Sequence, residues 1–567
     1  MSDYNGAMVA DSERQNLCER TFPKRLGIYL VTGLDRVRKW VTIFVRWERI
    51  IWTTSVVVVF TSVLLIGAVP QLPDLGHRQR QTDARVQLEL RTQEFIEAQL
   101  QMADLLYEDG QFRKALSTYT KAEKTENRNQ QKRASSGIVQ SALRVARFDL
   151  ALSEAISLRE RNPDDASVIA LHGDALWSWG LFQEAEDAYS EVLLKNSKSA
   201  RAHNGLVRAL ADRGRLNEAL AAAQTAVRQL PQEAELHHTV GTVFERLNRF
   251  EDAAASFANY ANLLPNRHRS DKAAWARSEI RFLKSFGNRV PLEMEPELSE
   301  QLHTVPFRLI KDKVVVRARI NDNEPIDLVL DTGAEKTVLS RRSAQRLGVI
   351  PVVYTLSAGV GDIGLRGLQL GRLDSLAIGS LRMNNVPCLI KSPSLGGLPS
   401  REPDGFSPLA LGMSMVIDYQ QRKITMARRL PTREADIELP LRLHRLATVR
   451  GMVNGQPVSF VVDTGGQVIS ISESTARSMS APPKVRHIPL RVYGTSGWDK
   501  DAFLMPGVQL QFQGIHFPSF PVVVLNLRAP SALLGFRVGG IVGHDFLSKY
   551  QVSIDLVRSV VGLSSAT

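Results

Sequence analysis

IDLVLDTGA at residues 326–334 and VSFVVDTGG at residues 458–466 are two copies of one pattern. Each copy is a largely apolar run that ends at Asp-Thr-Gly, and each follows another strand-like run and a turn. One Asp-Thr-Gly triplet alone says little, because average composition gives it by chance in about one chain in ten of this length. Two triplets in the same setting, with Asp331 and Asp463 lying 132 positions apart, indicate that one β-rich lobe occurs twice.

The two lobes, predicted at residues 300–430 and 437–565, also end in a similar way. An apolar-Gly element occurs at Leu411-Gly412 in the first lobe and at Val542-Gly543 in the second. Together with the two triplets, these elements resemble the retropepsin-like (clan AA) aspartic peptidases in their bacterial membrane-anchored form. The resemblance implies an all-β bilobal acid-protease-like domain, in which the later apolar-Gly strand braces the loop that carries each Asp.

The same resemblance implies that Asp331 and Asp463 are the catalytic pair, one from each lobe. The pair would activate a water and hydrolyse a peptide bond, with no metal and no cofactor. Residues that follow each Asp would support the loops: Thr332, Gly333, Thr464 and Gly465. Ala334 and Gly466 come next, where many acid-acting relatives have Ser. Neither residue has a hydroxyl that could stabilise a carboxylate, so we predict activity at mildly acidic to neutral pH.

A glycine-rich segment about 30 residues after each Asp predicts a flap over the active site. The flap candidates are Gly359, Val360, Gly361, Gly494, Thr495 and Ser496. The first segment also matches G-x-G-x-x-G, the pattern of a dinucleotide-binding loop. No helix-like pattern follows it, and the next residues are typical of a returning strand, so we reject that interpretation.

A second pattern repeats upstream, between residues 94 and 290. An aromatic residue or Leu, with Ala three positions later, recurs at intervals of 36, 34, 34 and 34 residues. The repeated positions are Phe112, Phe148, Phe182, Leu216 and Phe250. This period resembles that of tetratricopeptide repeats, each of which is a pair of antiparallel helices. Gly173 and Gly241 stand nine residues before the repeated position, where we expect the first helix of a repeat to pack closely.

Arrays of this kind usually present a concave surface to a peptide or protein. We therefore predict a protein partner on the repeats, in addition to a protein or peptide substrate. The alternative is that the repeats are a rigid spacer.

The N-terminal region predicts a membrane anchor. Residues 50–69 (IIWTTSVVVVFTSVLLIGAV) contain no charge and are long enough to span a bilayer as a helix. Residues 1–49 are rich in Lys and Arg, which predicts a cytoplasmic N-terminus, an inner-membrane location and periplasmic C-terminal domains, after a linker at residues 70–93. A cleaved signal peptide is the disfavoured alternative, because its apolar region should be shorter. Residues 26–45 suit a helix on the inner membrane face or a structured tail.

Composition excludes several other classes of protein. Apolar residues make up 44% of the chain and charged residues 23%, which excludes wholesale disorder. The net charge of +12 is scattered and not gathered into one tract, so we predict no nucleic-acid partner. Cys18 and Cys388 provide neither a disulfide framework nor a Cys-based zinc site, and the eleven His residues show no metal-ligand spacing.

The predicted fold class is therefore multidomain: one transmembrane helix, an all-α tetratricopeptide-like solenoid and an all-β bilobal domain. The predicted function is a membrane-anchored aspartic endopeptidase whose repeats recruit a substrate or partner. Two alternatives remain. One is a scaffold whose peptidase-like domain binds peptides without cutting them, and the other is an enzyme that acts only after a second copy docks.

Overall fold

The computed structural model describes residues 75–565, apart from 266, 269, 362–364, 392–402 and 480–486. The chain divides into two compact units. Residues 8–98 form the smaller unit. Within it the structure describes only residues 75–98, which are the first part of a helix that begins at Leu75. Residues 99–567 belong to the larger unit, which contains the helical array and the β-rich domain.

A series of antiparallel helices precedes the β-rich part of the chain. These helices are α1 (Leu75–Glu108), α2 (Phe112–Ala122), α3 (Arg128–Arg144), α4 (Phe148–Arg161), α5 (Ala166–Trp179), α6 (Phe182–Lys195), α7 (Ala200–Asp212), α8 (Leu216–Gln229), α9 (Ala234–Arg246), α10 (Phe250–Leu263) and α11 (Asp271–Lys284). Polar side chains begin several of the odd-numbered helices. Asn127, Asp165 and Ser199 each accept hydrogen bonds from backbone N–H groups in the first turn of α3, α5 and α7, groups that have no partner within the helix.

Glycine allows the two helices of a repeat to approach, as the sequence predicts. The Tyr189 side chain on α6 is fully buried, and its hydroxyl donates a 2.7 Å hydrogen bond to Asp174 on α5. A Cβ atom at Gly173 would lie 2.7 Å from the Tyr189 ring, and one at Gly241 would lie 2.7 Å from the Phe257 ring. These positions therefore have no space for any other side chain.

We expect Gly173→Ala to destabilise the array by about 1–3 kcal/mol, because Tyr189 has no space into which it can move. Chemical denaturation followed by the helical circular dichroism signal measures this change. Gly514→Ala is the matched control, since a Cβ there would make only ordinary contacts of 3.6 Å and more. Equal midpoints for the two variants would contradict the expectation.

The first β-rich lobe follows a short helix, α12 (Pro296–Ser299). Its elements are β1 (His303–Pro306), β2 (Arg308–Ile310), β3 (Lys313–Ile320), β4 (Ile326–Leu330), β5 (Thr337–Leu339), α13 (Arg341–Arg346), β6 (Pro351–Ala358), β7 (Leu365–Ile378), β8 (Leu381–Lys391), β9 (Gly405–Phe406), a 3-10 helix (Leu409–Leu411), β10 (Ser414–Asp418) and β11 (Lys423–Ala427).

The elements of the second lobe mostly correspond, in the same order, to elements of the first. They are β12 (Ile437–Leu443), β13 (Ala447–Val453), β14 (Gln456–Val462), β15 (Ser470–Ser472), α14 (Glu473–Ser478), β16 (Ile488–Pro489), β17 (Val492–Gly494), β18 (Gly497–Asp499), β19 (Phe503–Phe512), β20 (Ile515–Leu525), α15 (Arg528–Leu534), β21 (Gly540–Val542), α16 (His544–Leu547), β22 (Tyr550–Asp555) and β23 (Val560–Ser565).

Strand pairing shows the internal duplication directly. The strand before each Asp pairs in parallel with a later short strand, β4 with β9 and β14 with β21. The strand after each Asp pairs in parallel with the second long strand of its lobe, β5 with β8 and β15 with β20. The lobes are joined where β10 pairs with β22, in a sheet to which β1, β11, β12 and β23 also belong.

A helical array followed by a β-rich domain agrees with the predicted order, but the membrane part of the predicted fold class is contradicted. In the part of the chain that the structure describes, no helix is both long and apolar enough to cross a bilayer. The 34-residue helix α1 has the length, but it carries many charged residues. This finding also contradicts the predicted single-pass inner-membrane location. Residues 50–69, on which both predictions rested, lie outside the described residues, as do residues 1–49.

Candidate active site

Each lobe places its Asp at the end of a central strand, where a parallel neighbour holds the backbone. The backbone N–H of Asp331 donates to the Phe406 carbonyl of β9 at 2.9 Å, and that of Asp463 donates to the Val542 carbonyl of β21 at 3.0 Å. In the second lobe the predicted apolar-Gly strand therefore braces the loop. In the first lobe β9 does so, and Leu411-Gly412 instead ends a 3-10 helix, with Gly412 in the left-handed region at φ 67°.

The two Thr residues tie the loops together in a nearly symmetrical way. Thr332 N–H donates to Thr464 Oγ1 at 3.1 Å, and Thr464 N–H donates to Thr332 Oγ1 at 3.0 Å. The hydroxyl groups in turn donate across the lobe boundary, from Thr332 to the Val462 carbonyl at 2.7 Å and from Thr464 to the Leu330 carbonyl at 3.0 Å. Both side chains are buried. Four hydrogen bonds thus hold the lobes in register at the site.

The Gly of each triplet brings the carboxyl groups together. A Cβ at Gly333 would lie 2.7 Å from Asp463 Cγ, and a Cβ at Gly465 would lie 2.7 Å from Asp331 Cγ. Each carboxyl therefore lies against the loop of the opposite lobe. The two carboxyl groups also share a hydrogen bond.

The electrostatic setting favours one shared proton. Loss of solvent, and then the neighbouring carboxylate of Asp463, raises the pKa of Asp331 to about 7. Two cations, Lys391 and Lys313, oppose this rise. Lys313 also donates a hydrogen bond from its ammonium group to the Gly465 carbonyl. The role of Lys313 could not be predicted from the sequence, because nothing in the local pattern of β3 connects Lys313 with a triplet residue 152 positions away.

All six flap candidates lie at one contact between the lobes. Gly359 N–H donates to Ser496 Oγ at 2.9 Å, and Ser496 N–H donates to the Val360 carbonyl at 2.9 Å. Gly494 packs on Val360, Gly359 on Thr495 and Gly361 on Ser496, all so closely that an added Cβ would collide. The two predicted hairpin tips therefore meet and hydrogen-bond to each other.

A cavity of about 1450 Å³ connects these features. It is larger than the usual range for small-molecule pockets, which favours a polymeric ligand. Asp331, Gly465, Ala358 and Thr495 line one part of it. Much of the remaining wall comes from the array, including Trp177, Arg246 and Glu279, so this face of the array lies on the same cavity as Asp331.

The array is attached to both lobes. Aromatic residues of α10 and α11 share an apolar core with the first lobe, and Trp177 and Phe182 share another with the second lobe. Polar contacts add to this attachment: Arg442 donates to Asp212 at 3.1 Å and Arg450 donates to Glu184 at 2.8 Å. Apolar burial on both sides holds the cavity wall in a definite position relative to the two Asp residues.

The described residues give no sign of metal binding. Among them, no group of three or more His, Cys, Asp or Glu side chains could hold a metal ion. Cys388 is buried, and loss of solvent raises the pKa of its thiol to about 12, so it stays protonated.

Comparisons with known proteins agree with this architecture. A family model described as aspartyl protease matches residues 316–415 and 449–546, and each matched segment contains one of the two triplets. A tetratricopeptide repeat model matches residues 170–234. The fold and the site therefore define an aspartyl-protease-like domain joined to tetratricopeptide repeats, which confirms the aspartyl protease and tetratricopeptide parts of the predicted resemblance. No curated protein matches the chain significantly.

Solved structures similar to this chain include TTC0263, a thermophilic TPR protein from Thermus thermophilus. The two are 18% identical, the match covers 33% of this chain and 98% of the TTC0263 chain, and the TM-score is 0.29. YrrB, a TPR protein with an unusual peptide-binding site, is 18% identical over 33% of this chain and 97% of its own, with a TM-score of 0.22. MamA from Desulfovibrio magneticus RS-1 is 17% identical over 31% of this chain and 97% of its own, with a TM-score of 0.24.

Proposed function

We propose that this protein is an aspartic endopeptidase of the retropepsin-like type, and that Asp331 and Asp463 are its catalytic residues. The observation that carries the proposal is the pair of carboxyl groups, one from each lobe, which share a hydrogen bond beside a large cavity. The two hairpins that meet near this cavity support the retropepsin-like type, because both lobes then contribute a flap. One chain contains both lobes, so a second copy is unnecessary.

The two carboxyl groups take different roles in this mechanism. Asp331 holds the shared proton, because its pKa is raised. Asp463 takes the role of the base, and its Oδ1 accepts a 2.8 Å hydrogen bond from Gly465 N–H. A water between the two groups loses a proton to Asp463 and attacks the scissile carbonyl carbon, while Asp331 donates its proton to the carbonyl oxygen. Asp463 then gives its proton to the peptide nitrogen as the C–N bond breaks, so no covalent intermediate with the enzyme forms.

We expect hydrolysis to persist to near-neutral pH and to fall above about pH 7, where the shared proton is lost from Asp331. The stability of the fold changes with pH in the same direction, because the folded state prefers the protonated carboxyl of Asp331. The contribution of Asp331 to the free energy of unfolding is largest below its unfolded-state pKa of about 3.9 and decreases as the pH rises towards 7. A profile of kcat/KM from pH 3 to 9 measures the first effect. An optimum near pH 3 would contradict it.

The helical array is proposed to bind the substrate or a partner protein. Its inner face lines the same cavity as Asp331, which favours a direct part in substrate binding over a spacer role.

The test uses the purified full-length chain and an Asp331→Asn, Asp463→Asn double variant. Each is incubated with a mixed peptide library from pH 4 to 8, and the products are identified by mass spectrometry. Cleavage by the wild type alone would support the peptidase. If neither protein cleaves although both have the same circular dichroism spectrum, the peptide-binding scaffold becomes the better hypothesis.

A further inference from the structure

Three side chains from different parts of the fold meet on the cavity wall next to the first catalytic loop. Glu245 lies in the last turn of α9, Glu279 lies on α11, and Lys336 follows Asp331 by five residues. All three line the cavity that contains Asp331. Lys336 Nζ lies 3.5 Å from Glu245 Oε1, so this contact joins the array to the catalytic lobe.

Two of the three carboxyl groups at this place have a cationic partner in direct contact, and the third does not. Lys336 pairs with Glu245, and Arg445 pairs with Glu335, through a 2.7 Å hydrogen bond from Nε to Oε2. Glu279 is the carboxyl group left over. Among the described residues, none donates a hydrogen bond to Glu279 or forms an ion pair with it, although Glu245, Lys336 and Arg445 are all close enough to act on it electrostatically.

A carboxyl group in this position is costly unless a ligand compensates it. Loss of solvent, and then the carboxylate of Glu245, raises the pKa of Glu279 to about 8. An amide or an apolar side chain would fill the same space without this cost, so a carboxyl that has no hydrogen-bond donor on a cavity wall is a candidate ligand-binding group. A cation that entered from the cavity would favour the ionised form of Glu279 and pair with it.

The position of α11 connects Glu279 with the substrate path. Ser278, the preceding residue, donates a 3.4 Å hydrogen bond to the Tyr354 carbonyl of β6, the strand that leads into the first flap. Glu279 therefore lies between that flap strand and the first catalytic loop. Glu279 and Asp331 line the same cavity, so one extended peptide bound there can contact both.

We propose that Glu279, supported by Glu245, forms a subsite for a Lys or Arg side chain of the substrate. This inference rests on the proposed peptidase function and specifies its substrate class: polypeptide segments with a basic residue close to the cleaved bond. The helical array is then part of the substrate site itself. The cavity wall itself then selects the substrate, in addition to any recruitment of the substrate to a more distant surface of the array.

The first arm of the test measures cleavage specificity. The peptide cleaved fastest from the library and its analogue with Gln in place of the basic residue are compared for wild type, Glu279→Gln and Glu251→Gln. We expect wild type and Glu251→Gln, a control at an exposed Glu of α10, to prefer the basic peptide by about tenfold or more. We expect Glu279→Gln to lose that preference through kcat/KM for the basic peptide alone. Gln is isosteric with Glu, so the melting temperature should not fall.

The second arm measures binding without cleavage. Fluorescently labelled basic and Gln peptides are titrated against the Asp331→Asn variant, with and without Glu279→Gln. A preference for the basic peptide that Glu279→Gln removes supports the subsite. Equal affinity for the two peptides, or a preference that Glu279→Gln leaves unchanged, overturns it. If wild type cleaves nothing but this preference is present, the peptidase proposal fails and the basic-peptide site remains.

Discussion

Asp331→Asn and Asp463→Asn are each expected to lower kcat/KM by about a thousandfold or more, and the double variant is expected to lose little beyond either single variant. The reason is that the two carboxyl groups share one proton and act as a unit. Asn at either position supplies neither the base that takes a proton from water nor the acid that donates to the carbonyl. Once one group is lost, the other has no partner with which to complete the reaction.

Initial rates on one library-derived peptide, measured at several pH values, test this non-additivity. Asp322→Asn is the matched control. Asp322 is exposed in the turn before β4 with φ 55°, a conformation that Asn adopts readily, so activity should remain at the wild-type level. If one single variant kept substantial activity, or if the two losses multiplied in the double variant, the paired mechanism would be wrong.

Gly465→Ala is expected to lower kcat/KM by about a hundredfold or more while the chain stays folded. A Cβ at this position would lie 2.7 Å from both Asp331 Cγ and Asp331 Oδ1. The Asp331 carboxyl would have to rotate away or the two loops would have to separate. Either movement breaks the hydrogen bond between the carboxyl groups. Gly333→Ala should behave in the same way, because its Cβ would meet Asp463 at 2.7 Å.

The loss should fall mainly on kcat, because the flaps and the helical part of the cavity wall are unchanged. Gly514→Ala is the control, at a hairpin turn where a Cβ has space. Hydrogen exchange at β4 and β14 would show whether the central strands stay protected. Wild-type activity in both Gly→Ala variants would show that the carboxyl groups do not need the close approach seen in this structure.

The attachment of the array to both lobes changes how the repeats can be understood. Apolar cores that contain Phe250 and Phe282 on one side, and Trp177 and Phe182 on the other, include residues of the array and of the β-rich lobes together. The inner helices therefore stand at a definite distance from Asp331. A partner that bound the array would act on the cavity directly, without a flexible connection.

Local sequence was sufficient for the elements that are repeated within the chain. The period near 34 residues predicted paired helices, and the family comparison over residues 170–234 confirms tetratricopeptide repeats. The strand–turn–strand runs before each triplet predicted the two β-rich lobes, and the aspartyl protease match over residues 316–415 and 449–546 confirms that class of domain. These features depend on contacts between residues close together in the chain, so they can be predicted from the spacing of apolar residues and glycines.

Sequence reasoning was wrong or silent where the deciding contacts are remote. The brace of the first Asp loop is Gly405–Phe406 and not Leu411-Gly412, because parallel pairing with β4 selects the strand and no local pattern does so. The predicted membrane-spanning fold class and inner-membrane location are contradicted by the described helices.

The sequence by itself therefore determined the repeated helix pairs, the two homologous lobes and the Asp-Thr-Gly triplet in each lobe. Only the tertiary structure decided that the inner face of the array lines the cavity beside the triplets, that Lys313 reaches the second loop, and that Glu279 lies close to Lys336. The physical reason is that these contacts join positions more than fifty residues apart through burial of apolar surface. Such burial leaves no mark on the spacing of any single segment.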